Sequence, residues 1–205
     1  MRIILASSSP RRKELMARMG IQFEVIPSNC EEVFLPGRSH VEIAVELALR
    51  KARDVADKIQ ESALVIGADT IVIKQDKILG KPKDADEAYL MLCELQGQVH
   101  QVITGLAIID TRNHRYLTDY EITQVEFASL TPQEIKWYIS TQEPMDKAGA
   151  YAIQGLGGIL VKRIEGCYYN VVGLPLHRLW MMLKQMGMQK IVGGQFCSDG
   201  VLSKG

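Results

Sequence analysis

Two long runs, Val99–Asp110 and Tyr116–Phe127, flank a polar turn at Thr111–Arg115. Each is rich in β-branched residues, and the turn between them is short, so they read as long neighbouring strands. Strands joined in this way run antiparallel, which makes at least part of the sheet antiparallel. Shorter apolar runs at Ile3–Leu5, Phe23–Ile26, Ala63–Ile66, Ile71–Ile73 and Ile159–Ile164 read as further strands. Between them lie helix signals. Ser9-Pro10 is an N-cap followed by Pro at the first helical position, and Gly20 is a stop. Ser39 with Glu42 is a capping box that opens a helix to about Lys58. Asp84 with Glu87 opens another to Leu95, Thr131 with Glu134 a third to Ser140, and Pro175 starts the last, ending near Gly187. The expected fold is a mixed α/β domain: an elongated mixed sheet with flanking helices.

At 205 residues, with 47% hydrophobic and 23% charged side chains, the chain can bury a core and is not disordered as a whole. One domain is expected over residues 1–188. The tail Gln189–Gly205, rich in Gly and Ser, is expected to be partly flexible. Lys+Arg and Asp+Glu both number 24. A chain that coats nucleic acid by charge alone needs a basic excess, so direct nucleic-acid binding is disfavoured. An anionic partner must instead meet a local cluster of cations. No apolar run reaches the length of a membrane span, and the apolar stretch of MRIILASSSPRRKEL is too short for a signal peptide. The four cysteines, Cys30, Cys93, Cys167 and Cys197, form no CxxC pair and read as reduced thiols of a cytoplasmic protein.

Four segments carry candidate chemistry. Ser7-Ser8-Ser9-Pro10-Arg11-Arg12 follows a strand and opens a helix. Free N–H groups there, with two forked arginines, suit a phosphate, although the same residues fit an ordinary capped helix. Gly67-Ala68-Asp69-Thr70 puts a carboxylate at the end of an apolar run. Such a group either takes a cation or a water proton, or simply forms a turn. Gly80-Lys81-Pro82 fixes a lysine on a turn, and Lys51 lies on the helix begun at Ser39. Finally, Glu143 through Gly155 is rich in small residues, and Gln154 offers amide donors and an acceptor able to read a base edge. His100, at the head of a strand, reads as a hydrogen-bonded structural histidine. The chain has no GxxxxGK[ST], GxGxxG or GxSxG motif.

Taken in order, these segments resemble the Maf family of nucleoside triphosphate pyrophosphatases. The landmarks are Ala6 to Arg12, the acidic pair Glu31-Glu32, Lys51-Ala52, Gly67 to Thr70, Gly80-Lys81-Pro82, Gly97 with His100 and Thr104-Gly105, Glu143 through Gly155, and Val172-Gly173-Leu174-Pro175. Gln96 departs from the Ser usual before Gly97, and Glu31-Glu32 replaces the commoner Asp-Glu without changing the charge. The resemblance implies a fold like that of the inosine-triphosphate pyrophosphatases, with two lobes around a deep cleft. It implies hydrolysis of a nucleoside triphosphate to the monophosphate and pyrophosphate with a divalent cation, Mg²⁺ or Mn²⁺. A homodimer is common in such folds. Ile153-Gln154-Gly155 resembles the branch acting on dTTP and UTP, whereas the 7-methyl-GTP branch carries Glu in place of the Gln. Carried over residue by residue, Asp69 is the catalytic base that orients or deprotonates water, and Glu32 shares the metal with Asp69. Ser8, Ser9, Arg11, Arg12, Lys51 and Lys81 meet the phosphates, and Arg12, Thr70 and Gln154 resemble the positions that tune base choice. The family's tie to septum formation leaves a nucleic-acid-binding regulator of cell division as the contrasting reading, and the 7-methyl-GTP enzyme as the nearer one.

Overall fold

The computed structural model describes residues 1–30 and 37–188. The expected tail, Gln189–Gly205, lies outside them. Seven strands form one mixed sheet in the order β2-β1-β3-β5-β6-β7, with β4 also paired to β3. The strands are β1 (Arg2–Leu5), β2 (Glu24–Val25), β3 (Ala63–Lys74), β4 (Lys77–Leu79), β5 (Val99–Asp110), β6 (Tyr116–Phe127) and β7 (Val161–Glu165). β1 runs parallel to β2 and β3, and every other pairing is antiparallel. The helices are α1 (Pro10–Arg18), α2 (His40–Ala56), α3 (Ala85–Leu95), α4 (Pro132–Ser140), α5 (Tyr168–Val172) and α6 (Leu176–Gln185). The long β5–β6 pair and all four Ser/Asp/Thr caps, Ser9, Ser39, Asp84 and Thr131, stand where the sequence puts them. The capping boxes of Ser39–Glu42 and Thr131–Glu134 are complete in both directions. Each cap is worth about 0.5–2 kcal/mol against alanine.

Three local readings change, and two short elements are added. Ala63–Ile66 and Ile71–Ile73 are one continuous strand, and Gly67-Ala68-Asp69-Thr70 runs through its middle rather than turning between two strands. Cross-strand pairing with β5 from Leu64 to Ile73 holds the small residues extended. The run at Phe23–Ile26 forms only the two-residue β2. β7 starts at Val161, not Ile159, because Gly155–Leu160 coils into a 3₁₀ turn. The short elements β4 and α5 carry too few residues to show a period, so the sequence pattern does not announce them.

The long strands pass between two packed ends. At one end Leu5, Leu64, Ile66, Leu106 and Ile108 pack with α1 and α6 through Leu15, Met16, Leu179 and Leu183. The opposite face there buries Ile4, Val65 and Ala107 under Ala48, Ala52 and Val55 of α2. At the other end Val72, Val102, Val125 and Phe127 pack with α3 and α4 through Leu92, Leu95 and Tyr138. The resemblance implies two lobes, and the apolar core is accordingly divided between these two ends.

α2 lies unusually close to the sheet. A Cβ on Gly67 would stand 2.2 Å from the carbonyl oxygen of Ala48, and one on Gly105 would stand 2.2 Å from that of Ala44. Ala44, Ala48 and Ala52 recur at four-residue spacing on the buried face of α2. With no side chain on the strand and only methyl groups on the helix, the two backbones come into contact. This approach brings the middle of α2 over the centre of β3.

Candidate active site

The edge of β3 away from β5 is paired twice. β1 covers Ala63–Ile66 and β4 covers Val72–Lys74. Among the described residues no strand covers Gly67–Ile71 between them, so the sheet has a gap on this edge. Asp69 and Thr70 sit in that gap. Alternation along the strand sends their side chains to opposite faces. Asp69 points to the α2 side, as Gly67 does, and Thr70 to the side of α1 and α6.

The gap opens into a cavity of about 250 Å³. Its walls come from Ala6–Arg12 following β1, from Ile78–Lys81 at the end of β4, from Asp146–Ala148 and Tyr151–Gln154, and from Val171–Gly173. These are four of the landmark segments, far apart in sequence and assembled by the topology. Among the described residues the lining carries five cations, Arg11, Arg12, Lys51, Lys81 and Lys147, against two carboxylates, Asp69 and Asp146. A chain with no net charge therefore holds a local positive excess, as an anionic ligand requires.

Asp69 is nearly buried, with 6% of its side chain exposed, and Lys51 Nζ donates to its Oδ1. The close approach of α2 makes this contact, since Lys51 lies one turn beyond Ala48. The ammonium offsets the cost of burying the carboxylate. On the other face Arg12 Nε donates to the Gly173 carbonyl at 2.8 Å and its Nη2 to Thr70 Oγ1 at 2.9 Å. Arg12 is thus oriented by the protein before any ligand arrives.

The remaining sites expected from the sequence divide by role. Ser9 is the N-cap of α1, its hydroxyl accepting from the Arg12 N–H. Ser8 is exposed on the cavity wall. Burial pushes the Arg11 guanidinium below its ordinary value, opposed by the charges of Asp146 and Glu143. Lys81 is exposed at the rim and bonds to no described residue. Gln154 is half-buried on the wall, and its amide likewise bonds to no described residue, leaving donors and acceptor for a ligand. Glu31 and Glu32 lie outside the described residues. Among the described residues no three His, Cys, Asp or Glu side chains cluster to hold a metal. His100 is structural, as its sequence context suggests: buried, bonded to the Tyr151 hydroxyl at 2.8 Å, and pushed down to about 4 by burial and by Lys74.

Two residues of the Glu143–Gly155 segment have roles that its glycines hide. Lys147 is almost buried, bonded to the Asp146 carboxylate and the Glu143 carbonyl, and lines the cavity. The Glu143 carboxylate accepts from the N–H groups of Leu156 and Gly157 and from the Tyr138 hydroxyl, at 2.9–3.0 Å. Burial opposes its ionisation, yet these donors hold it below the usual carboxylate range. Glu143 thereby pins the turn that follows Gln154. Nothing in the spacing of Glu143 and Gly157 signals that contact, because it forms only when the 3₁₀ turn folds back.

A buried carboxylate–lysine pair thus lies in a cationic cleft at a gap in a mixed sheet. The sequence profile of the Maf family, described as Maf-like protein, matches residues 2–186, and the chain belongs to that family. The ordered landmarks had pointed there. A dTTP/UTP pyrophosphatase of Thermoanaerobacter sp. (strain X514) is 52% identical over 185 residues, which is 90% of this chain and 96% of that protein. A dTTP/UTP pyrophosphatase of Alkaliphilus oremlandii (strain OhILAs) is 54% identical over 182 residues, 89% of this chain and 94% of that one. Among solved structures, the Staphylococcus aureus Ham1 protein aligns over 62% of this chain and 72% of its own, with 15% identity and a TM-score of 0.42.

Proposed function

We propose that this chain hydrolyses dTTP and UTP between the α- and β-phosphates, releasing the nucleoside monophosphate and pyrophosphate. The observation that carries this reading is the Asp69–Lys51 pair set in the gap of β3 and ringed by four further cations. The relatives named dTTP/UTP pyrophosphatase support it at about half identity over nearly their whole length.

Attack of water on the α-phosphorus needs a base and a counter-charge for the departing pyrophosphate. Asp69 is the base, its carboxylate oriented by Lys51 toward the water that loses its proton. Arg11, Lys81 and Lys147 face the charge that accumulates on the leaving group, and the positive end of the α1 dipole, with Ser8, faces a phosphate oxygen. Thr70, Arg12 and Gln154 meet the base. A divalent cation suits the donors present: Asp69 supplies a hard carboxylate oxygen, and Mg²⁺ is commonly held by one or two carboxylates together with substrate phosphates. Asp69 and Glu32 are the residues that would hold it, and when bound it neutralises phosphate charge. A reducing cytoplasmic setting agrees with Cys30, Cys93 and Cys167, all free thiols.

The test is a panel of nucleoside triphosphates with Mg²⁺, the products separated by chromatography. UMP and pyrophosphate from UTP are expected. UDP as first product, or a preference for 7-methyl-GTP, would overturn the assignment.

A further inference from the structure

We infer that Thr104, a residue hidden beneath the cavity wall, fixes the direction of the hydroxyl proton of Thr70 and so makes Thr70 a pure acceptor toward the base. The inference rests on the proposed function and concerns how uracil and thymine are told from cytosine.

Thr70 and Thr104 face each other across β3 and β5, and their hydroxyl oxygens are 2.9 Å apart. Taken alone, either could donate. The two ends of the chain remove that freedom. Arg12 Nη2 stands 2.9 Å from Thr70 Oγ1, and a guanidinium has donors only, so Thr70 accepts there. Thr104 Oγ1 stands 3.1 Å from the carbonyl oxygen of Asn170, which can only accept, so the single proton of Thr104 goes to Asn170. Thr104 then has no proton for Thr70. Thr70 must donate, and the chain runs one way: Arg12 to Thr70 to Thr104 to the Asn170 carbonyl.

The end acceptor is rigid. Asn170 is fully buried, and its Nδ2 donates to the Val102 carbonyl at 3.0 Å and to Thr123 Oγ1 at 2.9 Å. Thr104 is fully buried as well, whereas Thr70 is half-buried and lines the cavity. A hydroxyl has one proton and two lone pairs. At Thr70 the proton and one lone pair are spent inside the protein, and one lone pair remains for a ligand. Only a donor satisfies it. Uracil and thymine carry an N–H at N3; cytosine presents a bare lone pair there. Two facing acceptors repel and leave both unpaired in a partly desolvated site. Thr104 acts through Thr70 and is therefore a positioning residue.

The experiment compares kcat/KM for UTP, dTTP and CTP in the parent, Thr104→Val and Thr104→Ser, with thermal melting to confirm the fold. Valine keeps the shape and removes the hydroxyl; the Asn170 carbonyl still accepts from the Gly173 N–H at 2.9 Å. The Thr70 proton is then released to turn toward the cavity and donate to cytosine. The ratio of UTP to CTP should fall about tenfold in Thr104→Val, with an absolute gain on CTP, and return in Thr104→Ser. A merely structural role would lower all three substrates together and leave the ratio intact. If Thr104→Val does not fold, Thr104→Ala removes the same hydroxyl without a new methyl group. A selective parent whose ratio survives loss of the hydroxyl would overturn the inference alone. A parent inactive on UTP and dTTP would overturn the proposed function and this inference with it.

Discussion

Gly67→Ala tests whether the contact between α2 and β3 builds the site. The new methyl group would stand 2.2 Å from the Ala48 carbonyl oxygen and 2.9 Å from the Ala52 nitrogen, both backbone atoms. Ordinary contact between such atoms is about 3.4 Å or more, so the helix must retreat by about 1 Å. Overpacking of this kind costs about 1–3 kcal/mol. For a chain of this size that is a fall in Tm of about 3–10 °C. The retreat also carries Lys51, one turn beyond Ala48, away from Asp69. A misplacement of about 1 Å in a catalytic constellation is worth up to about 10²-fold in rate. We therefore expect kcat on UTP to drop about 10- to 100-fold with the overall fold kept. Differential scanning calorimetry and steady-state pyrophosphate release measure the two effects. Gly80→Ala is the stability control, since a Cβ there meets nothing within 4 Å and Tm should stay within about 1–2 °C of the parent. A Gly67→Ala enzyme with parental Tm and parental kcat would refute the link between helix approach and the Lys51–Asp69 pair.

Three further outcomes are expected. Asp69→Asn keeps the shape and a hydrogen bond to Lys51 but loses the base and the charge that compensates Lys51, so kcat on UTP should fall by about 10²–10⁴ and Tm should fall as well, with the overall fold kept; near-parental turnover would remove Asp69 from the mechanism. Gln154→Glu loses both amide donors, so the preference for UTP and dTTP over CTP should erode by about tenfold in kcat/KM, and an unchanged ranking would show that Gln154 does not read the base. His100 is held neutral in the fold, its value pushed from 6.5 down to about 4 by burial and then by Lys74, so on acidification the unfolded chain takes up the proton first. Its contribution is whole above pH 6.5 and drains away as the pH falls toward 4, on the order of 3 kcal/mol in all. Urea melts of the parent and of His100→Gln across that window should show a flatter loss in the variant, and parallel curves would refute the burial argument.

Much of the fold was legible because its signals are local. A capping box needs only the residues from Ser39 to Glu42, and the long strands Val99–Asp110 and Tyr116–Phe127 announce themselves by composition and by the turn between them. The landmark segments were legible too, and so was most of the cavity lining: Arg11, Arg12, Lys51, Asp69, Lys81 and Gln154 all meet at one gap. The break between the runs Ala63–Ile66 and Ile71–Ile73 is absent from the fold for a nonlocal reason. Glycine beside aspartate does signal a turn within a short window, but here the glycine is needed by a helix that precedes it in sequence, and pairing with β5 keeps the strand straight. Glu143 and Lys147 escaped notice because their partners are set by a fold-back of the chain, not by spacing.

The main helices, the long β5–β6 pair, the caps and the inventory of reactive groups were thus determined by the sequence itself, since propensity, capping and alternation act over a few residues. The gap between β1 and β4, the pairing of Lys51 with Asp69 and the one-way hydroxyl chain from Arg12 to Asn170 were decided only by the tertiary structure. Each depends on strand register or helix approach, which places residues up to 161 positions apart, as Arg12 and Gly173 are, within hydrogen-bond distance. No local window contains both partners. A hydroxyl can donate to one neighbour or another, so only the complete set of neighbours fixes which way its proton points.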